Sequence, residues 1–386
     1  MVKHPECQNV KYKFFLKYFH ENFNLSFGRP QIDVCSKCEE LGEKLKDPHL
    51  NDNAKRVVAA ELMVHKRRAK KYFTKMDEIR KLYKENEKVV ALCFDYMQNL
   101  SLSFLPVQEV FYFRQLWVNE FCVHNFSTEK ATFYSYHEGK GHKGPVEVCS
   151  FLNDYINNKI SENVEELHLF CDGCPGQNRN TMIRFLLVLV KFQKITIYFP
   201  QRGHSSNDCD RDFGTVKRKI RCLDRIFSVG EYEDLKVSLS RSNKFDVRHV
   251  THVDVAGFKQ WWPDFFKKKV LSTRSLGKQV PKEYKVNFTI NSFYEFSFNS
   301  ENLGVVFAKP YIGSFVEEHF LLLKTLQRSI PTIVVPNPQN LSAYQGKIPI
   351  NVKKIDDIKK LQQYIPDKYK EFYTTVYSLL KTQISR

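Results

Sequence analysis

Two aspartates close apolar runs that resemble strands, and a third lies in a polar segment further along. Asp95 ends the run KVVALCFD, and Asp172 ends ELHLFCD, after which the chain continues as GCPGQNRN. Asp210 lies in GHSSNDCDRDFG, between Asp208 and Asp212. Carboxylates at neighbouring strand ends repel each other, and a cation would stabilise them. Three oxygen ligands suit Mg²⁺ or Mn²⁺, and two such ions can hold the attacking and leaving oxygens of a phosphoryl transfer.

Predicted strands and helices alternate around these aspartates. In chain order, the first three predicted strands are KVVALCFDYMQ, VFYFRQLWVNEFCVHNF and ATFYSYHE. A helix, VEVCSFLNDYINNKI, a strand, ELHLFCD, a second helix, TMIRFLLVLVKF, and a last strand, KITIYFP, follow. This order predicts an α/β (α+β) fold with one mixed sheet flanked by helices. In the RNase H-like arrangement the first and fourth strands lie side by side, which would bring Asp95 and Asp172 together. A third acid follows the fifth strand, where Asp210 lies.

Six short segments occur along the chain in a distinctive order: PQIDVCSKC, CFDYMQNL, YFRQLWVNEF, DGCPGQNRN, GHSSNDCD and YQGKIPI. With these segments the chain resembles a family of uncharacterised, transposon-derived animal proteins, and the resemblance spans most of the chain. The family's domain is regarded as RNase H-like and related in layout to DDE/DDD transposases and integrases. The resemblance therefore implies divalent-ion chemistry on nucleic acid, and it places the third acid on Asp210.

Polar side chains near the aspartates have two interpretations each. Gln177, Asn178 and Asn180 would contact a phosphate backbone, or satisfy backbone groups at a helix start. His204 would orient a phosphate or a metal-bound water, or cap a helix from a turn. Glu147 is a fourth carboxylate or, preferably, a surface residue. Taken alone, Asp172 also fits a turn former and helix N-cap.

Composition favours a polyanionic partner. The 386 residues include 60 Lys and Arg against 43 Asp and Glu, giving a formal charge of +17 and a pI near 9.3. The segment from Asn53 to Glu87, predicted as one long helix or two, carries a basic face that includes Arg67 and Arg68. A second basic group consists of Lys217, Arg218 and Lys219. Both would hold a phosphate backbone. A solvated basic surface is the alternative.

Cysteine spacing suggests a second metal. Cys35 and Cys38 have the spacing of a zinc knuckle, and His4 and Cys7 could complete four ligands for Zn²⁺. Free thiols at a turn are the alternative. The remaining cysteines are expected to be reduced, as in an intracellular chain.

The chain divides into four regions by composition. We predict a CxxC-containing segment at 1–50, a basic amphipathic helix at 51–87, the RNase H-like core at 88–226 and a C-terminal α+β region at 227–386. The start MVKHPECQNV lacks an apolar signal region, and FLLVLVKF is too short to cross a bilayer. A nuclear or cytoplasmic protein with no membrane partner is expected, and a homo-oligomer is compatible with the sequence.

The leading hypothesis is a transposase-like nucleic-acid phosphotransferase or nuclease, in which Asp95, Asp172 and Asp210 hold divalent ions. DNA is the first choice of substrate, although the sequence does not separate DNA from RNA. The alternative is a domesticated, catalytically inactive transposase derivative that only binds DNA or a partner protein. Both hypotheses share the fold and the charge.

Overall fold

The computed structural model describes residues 11–23, 34–189, 191–240, 244–273, 283–286, 288–323 and 341–379. The Pro-rich stretch around 331–338, and His4 and Cys7, lie outside these residues. Three helices come first: α1 (Tyr12–Asn22), α2 (Ser36–Lys46) and α3 (Asp52–Glu85). None of the helices in the described part of the chain is long and apolar enough to cross a bilayer.

Helix α3 is one continuous helix of 34 residues, where the sequence left one helix or two open. Its start is fixed by Asn51, whose side chain accepts a hydrogen bond from the Ala54 N–H at 2.9 Å. Only its second half is buried against the sheet, through side chains at helical spacing, namely Ala69, Tyr72, Met76 and Ile79. No residue of the first half is buried, and α3 also packs against α2.

The central region supplies strands and helices in the predicted order. These are β1 (Val89–Tyr96), β2 (Leu100–Leu102), β3 (Leu116–Asn125), β4 (Lys130–His137), α4 (Pro145–Lys159), β5 (Glu166–Cys171), α5 (Pro175–Asn178), α6 (Asn180–Leu186), β6 (Lys194–Tyr198), α7 (Asp208–Ile220) and α8 (Val229–Ser238).

The C-terminal region adds strands and helices of its own. These are β7 (Phe245–His249), α9 (Phe258–Phe265), β8 (Phe266–Thr273), β9 (Glu283–Val286), β10 (Glu295–Asn299), β11 (Val305–Lys309), β12 (Glu318–Leu323), α10 (Val352–Lys360) and α11 (Lys370–Tyr377).

The strands form one mixed sheet in the order β7-β4-β3-β1-β5-β6-β10-β11-β12-β8-β9, with β2 beside β3. Strand β1 is antiparallel to β3 and parallel to β5, and β5 is parallel to β6. The first and fourth core strands, β1 and β5, are thus neighbours, and the predicted fold class is confirmed. The regions 88–226 and 227–386 share this sheet, because β10 continues it beyond β6 and β7 continues it beyond β4. The four-region division itself stays a prediction.

Alternation along the strands gives the sheet two buried faces. In β1, Leu92 and Phe94 join one apolar cluster, whereas Ala91 and Cys93 join the other. The first cluster is covered by α4, α6 and α9. The second, which we call the α7 face, is covered by α3, α7, α8, α10 and α11.

Three predicted elements are shorter than expected. The helix over TMIRFLLVLVKF ends at Leu186, because the next N–H groups bond in tighter turns, from Val188 to the Phe185 carbonyl at 3.1 Å and from Leu189 to that of Leu186 at 3.3 Å. The strand predicted to begin with VFYF is wrong at that end, since Gln108–Tyr112 is a 3₁₀-helix. The sequence also predicts a single strand over 283–298, but β9 and β10 are separate there, with a 3₁₀ turn at Ile290–Ser292 between them.

Candidate functional site

The pairing of β1 with β5 brings Asp95 and Asp172 together. Phe94 pairs with Cys171, so the next residue on each chain is an aspartate at the carboxyl end of its strand. Asp95 is two residues after Cys93, and Asp172 is two residues after Phe170, so each aspartate lies on the same face of the sheet as that residue. Cys93 and Phe170 both lie on the α7 face. The two carboxylates therefore share one edge and one face of the sheet, beneath the start of α7. The sequence predicted this convergence.

The start of α7 is built by a reciprocal cap. The Asn207 side chain accepts a hydrogen bond from the Cys209 N–H at 2.8 Å, and the Asp210 carboxylate accepts one from the Asn207 N–H at 3.0 Å. Cys209 anchors this turn to the sheet, with its Sγ 3.7 Å from the Cys93 Sγ. The CD element of GHSSNDCD thus docks the helix on β1.

The three aspartates of α7 have different surroundings. Asp208 is buried in an ion pair with Arg80 of α3. Asp212 is fully buried and bonded to His124 Nδ1 at 2.7 Å and Lys244 Nζ at 2.6 Å. Burial favours its protonated form, but these two partners outweigh burial and lower the pKa of Asp212. Asp210 is the exposed member of the three.

Asp95 is held in an environment that disfavours its charge. Burial raises the pKa of Asp95 to about 7, and repulsion from Asp172 and Asp210 adds to this, while the Tyr96 N–H and Lys143 oppose it. Burial also raises the pKa of Asp172, helped by Asp210 and opposed by the Cys174 N–H and the Asn178 side chain. The three predicted acids therefore interact electrostatically, and a cation at this edge would relieve their repulsion.

Two lysines flank the three carboxylates. Lys143, in the turn before α4, donates hydrogen bonds to the Met97 carbonyl at 2.7 Å and to Asn99 Oδ1 at 3.0 Å. Burial lowers the pKa of Lys143, whereas the charges of Asp95 and Asp172 favour its protonated form. Lys217 of α7 donates to Gln98 Oε1 at 3.3 Å. Lys143 is thus close enough to interact with Asp95 and Asp172, and Lys217 is close enough to interact with Lys143.

The amides of GCPGQNRN hold their own loop together. Gln177 donates to the Lys143 carbonyl at 3.1 Å, which ties the loop to the lysine turn. Asn178 is buried and its Nδ2 bonds both the carboxylate and the carbonyl of Asp172. Asn180 accepts a hydrogen bond from Arg184. Their contact with a phosphate backbone stays a prediction.

A cavity of about 540 Å³ opens beside Asp172. Its wall includes Arg179 and the loop that carries Arg202 and Gly203. The Arg179 guanidinium is buried over the Phe199 ring, 4.0 Å from its centroid, and donates to the Ile290 carbonyl at 3.1 Å. The cavity thus joins the carboxylate edge to the loop that precedes α7.

In the same loop, His204 joins three other side chains in a Cys₂His₂ group that could bind a metal such as zinc. Its members are Cys35, Cys38, His65 and His204, whose ligand atoms all lie within 4.8 Å of one another. Cys35 precedes α2, Cys38 is in its first turn, and His65 is in the middle of α3. Among the described residues, this is the group of possible metal ligands whose donor atoms all lie within 4.8 Å of one another. The carboxylates of Asp95, Asp172 and Asp210 do not form a group with distances this short.

The sequence predicted half of this group. It proposed His4 and Cys7 as the other ligands of Cys35 and Cys38, and these two lie outside the described residues. The structure brings His65 and His204 to the two thiols. The role considered for His204, in orienting a phosphate or a metal-bound water or in capping a helix, stays a prediction. His65 had no signal of its own, because it looks like one more polar residue on a basic helix.

Gly203 explains why the His204 loop can reach Cys35. Its φ is +79°, in the left-handed region, and a Cβ built on it would lie 2.8 Å from the Cys35 Cα. The tight turn continues with a hydrogen bond from the His204 N–H to the Gln201 carbonyl at 2.9 Å. The glycine of the GHSSNDCD segment is therefore required both by backbone conformation and by close packing.

Replacing Gly203 by alanine should lower the free energy of unfolding by at least about 1–2 kcal/mol, the usual cost of a left-handed non-glycine residue, since the contact with Cys35 adds to it. Chemical denaturation checks this. Gly214→Ala is the matched control: nothing lies within 4 Å of its added Cβ, and alanine favours a helix by up to about 1 kcal/mol. Equal stability of Gly203→Ala and wild type would contradict the packing described.

Glu147 is not on the surface, and that expectation is wrong. It is 1% exposed in the first turn of α4 and accepts hydrogen bonds from the His142 N–H at 2.8 Å and from the Tyr344 hydroxyl. Tyr344 belongs to the YQGKIPI segment. The carboxylate is buried because it ties this distant segment to the turn that carries Lys143.

The basic residues predicted to contact nucleic acid are exposed with one exception. Arg67 and Arg68 lie on the exposed side of α3, and the Arg68 guanidinium is 5.2 Å from the centre of the Tyr311 ring. Arg218 and Lys219 are exposed in the last turn of α7, whereas Lys217 is half-buried. All are accessible enough to meet a phosphate, and their role stays a prediction.

Comparison of the chain with family models, with curated proteins and with solved structures finds no match. The functional interpretation therefore depends on the geometry of the chain itself.

Proposed function

We propose that the protein is a transposase-like nucleic-acid phosphotransferase or nuclease, in which Asp95, Asp172 and Asp210 hold Mg²⁺ or Mn²⁺. The observation that carries the proposal is the meeting of Asp95 and Asp172 at the carboxyl ends of paired parallel strands, with the Asp210 charge raising the pKa of both. Divalent ions would bind these carboxylates, activate water or a 3′-hydroxyl, and stabilise the leaving oxygen.

The cationic surroundings support a polyanionic substrate. Lys143 and Lys217 flank the acids, and the exposed bases of α3 and α7 extend away from them. Such a distribution attracts nucleic acid at long range and holds its backbone at short range. We favour DNA as the substrate, in line with the resemblance to transposases and integrases.

A second candidate is a protein that binds DNA without cutting it. The observation that favours it is that two of the acids already have local structural partners. Asp172 is bonded to Asn178, and Asp210 closes the cap of α7. A transposase derivative that had lost its chemistry could retain both aspartates for these contacts alone.

Replacing Asp95 by alanine tests the proposal. With full-length protein, Mg²⁺ or Mn²⁺ and labelled DNA and RNA duplexes, we expect the rate of strand cleavage to fall on the order of a hundredfold or more, because an ion loses a ligand. DNA affinity, measured by fluorescence anisotropy, should stay the same or rise, since a negative charge is removed. Asp367→Ala removes an exposed aspartate of the C-terminal region and should change neither quantity.

Cleavage that is unchanged in Asp95→Ala would remove these carboxylates from the chemistry. Binding by the wild type without cleavage under either ion would favour the second candidate instead. Cleavage of the RNA substrate alone would change the substrate class and keep the site.

A further inference from the structure

The Cys₂His₂ group has the dimensions of a tetrahedral zinc site. Cys35 Sγ is 3.3 Å from His65 Nε2, and Cys38 Sγ is 3.4 Å from His204 Nε2. The two Nε2 atoms are 3.2 Å apart. Zinc bonds of about 2.3 Å to sulfur and about 2.0–2.1 Å to nitrogen place tetrahedral ligands roughly 3.3–3.8 Å from one another. The three observed edges, 3.2–3.4 Å, lie at or just below the short end of that range, and all four donor atoms lie within 4.8 Å of one another.

The chemistry of these donors selects the metal. Two thiols and two imidazoles form a soft to borderline set, which suits Zn²⁺ and excludes Mg²⁺ or Mn²⁺ as a preferred ion. All four donors come from the protein, which leaves no open position for water or substrate. The site is therefore structural and is separate from the carboxylate edge.

We propose that Cys35, Cys38, His65 and His204 bind one Zn²⁺ ion that fastens the N-terminal helices to the loop before α7. The Cys pair lies at the start of α2, His65 lies in α3, and His204 lies in the loop, so the ion crosslinks three segments up to 169 positions apart in sequence. Gly203 makes the approach of the loop to Cys35 sterically feasible.

The crosslinked loop also shapes the carboxylate edge. It forms part of the wall of the cavity beside Asp172, through Arg202, Gly203 and Ser205. Three residues after His204 it reaches Asn207, which caps the helix that carries Asp210. Zinc would thereby fix the position of Asp210, although the binding of zinc does not depend on any chemistry at the carboxylates.

Metal content tests the proposal directly. Full-length protein, purified without chelator, should contain one zinc per chain by inductively coupled plasma mass spectrometry. Cys38→Ser and His65→Gln should lose most of this metal, whereas Cys222→Ser and His49→Gln, which change exposed residues outside the group, should retain it. His4→Gln and Cys7→Ser should also retain it. Zinc that is lost with His4 or Cys7, or retained without Cys38 and His65, would overturn the ligand set.

Measurements on the wild type keep the test valid if a variant fails to fold. Chelation should lower the thermal midpoint, one equivalent of Zn²⁺ should restore it, and Co²⁺ should give the visible absorption of a tetrahedral thiolate site. Alkylation of Cys35 and Cys38, mapped by mass spectrometry, should require prior chelation. A wild type that carries no zinc and binds none on titration would overturn the proposal. Because no readout uses cleavage, failure of zinc binding and failure of catalysis are distinguishable.

Discussion

Replacing Lys236 by methionine is expected to lower the free energy of unfolding by about 3–5 kcal/mol, because it leaves a carboxylate buried without its counter-ion. Lys236 of α8 donates to Glu120 of β3 at 2.7 Å, and both side chains are 1% exposed. Ser135 of β4 completes the group, with hydrogen bonds to each of them. This group attaches α8 to the α7 face of the sheet.

The loss should depend on pH in a defined direction. Burial already raises the pKa of Glu120, and Lys236 opposes that rise. Without the lysine, the folded chain keeps the Glu120 proton to higher pH than the unfolded chain does, so the destabilisation grows as pH increases from about 4. Urea denaturation of the variant and the wild type at pH 5 and pH 8 measures this difference.

Two further variants complete the experiment. Glu120→Gln combined with Lys236→Met removes both charges and should recover most of the lost stability. Lys370→Met breaks an exposed ion pair with Asp367 and should change the stability little. If the single Lys236→Met variant is as stable as Lys370→Met, the buried pair does not hold α8 in place.

The sheet was largely predictable because its signals are local. Each core strand is a short apolar run with a turn or helix after it, and two-residue alternation assigns its faces. The same logic placed Asp95 and Asp172 at adjacent strand ends. Asp208 and Asp212, the neighbours of Asp210, form ion pairs with Arg80 and Lys244, and Asp212 is also hydrogen-bonded to His124. The sequence could not show those pairs, since each partner lies on another element far along the chain.

The Cys₂His₂ group shows the limit of spacing arguments. The distance between Cys35 and Cys38 is fixed by one helical turn, so their pairing was visible in the sequence. His65 and His204 come near them only after α3 has packed on the sheet and Gly203 has turned the loop toward Cys35. The one sequence signal that linked His204 to the two thiols was that the CxxC and GHSSNDCD segments belong to the same distinctive set. Glu147 was misplaced for the same reason, because its partner Tyr344 is 197 residues away.

Replacing Asp95 by asparagine is expected to raise the free energy of unfolding of the metal-free protein by roughly 2–4 kcal/mol at pH 8 and to leave it almost unchanged at pH 4. The reason is the pKa of Asp95, which burial and the neighbouring acids raise to about 7. The unfolded chain loses this proton near pH 4, whereas the folded chain retains it until about pH 7. Over this interval the folded state binds more protons, so the stability of the wild type falls as pH rises. Asparagine has no charge to bury and avoids the loss.

Divalent ions should stabilise the wild type more than they stabilise Asp95→Asn. Mg²⁺ or Mn²⁺ stabilises whichever folded chain binds it, by an amount that grows with ion concentration over the dissociation constant. The wild type should therefore gain thermal stability on titration, and Asp95→Asn should gain much less. Asp367→Asn, in which an exposed carboxylate near Lys370 is neutralised, should respond to both pH and ions as the wild type does. Parallel stability profiles for wild type and Asp95→Asn from pH 4 to 8 would show that Asp95 carries no buried charge. A pH-dependent gain in the variant without any ion response in the wild type would mean that the repelling acids meet but hold no metal, which is the result expected of a protein that binds DNA without cutting it.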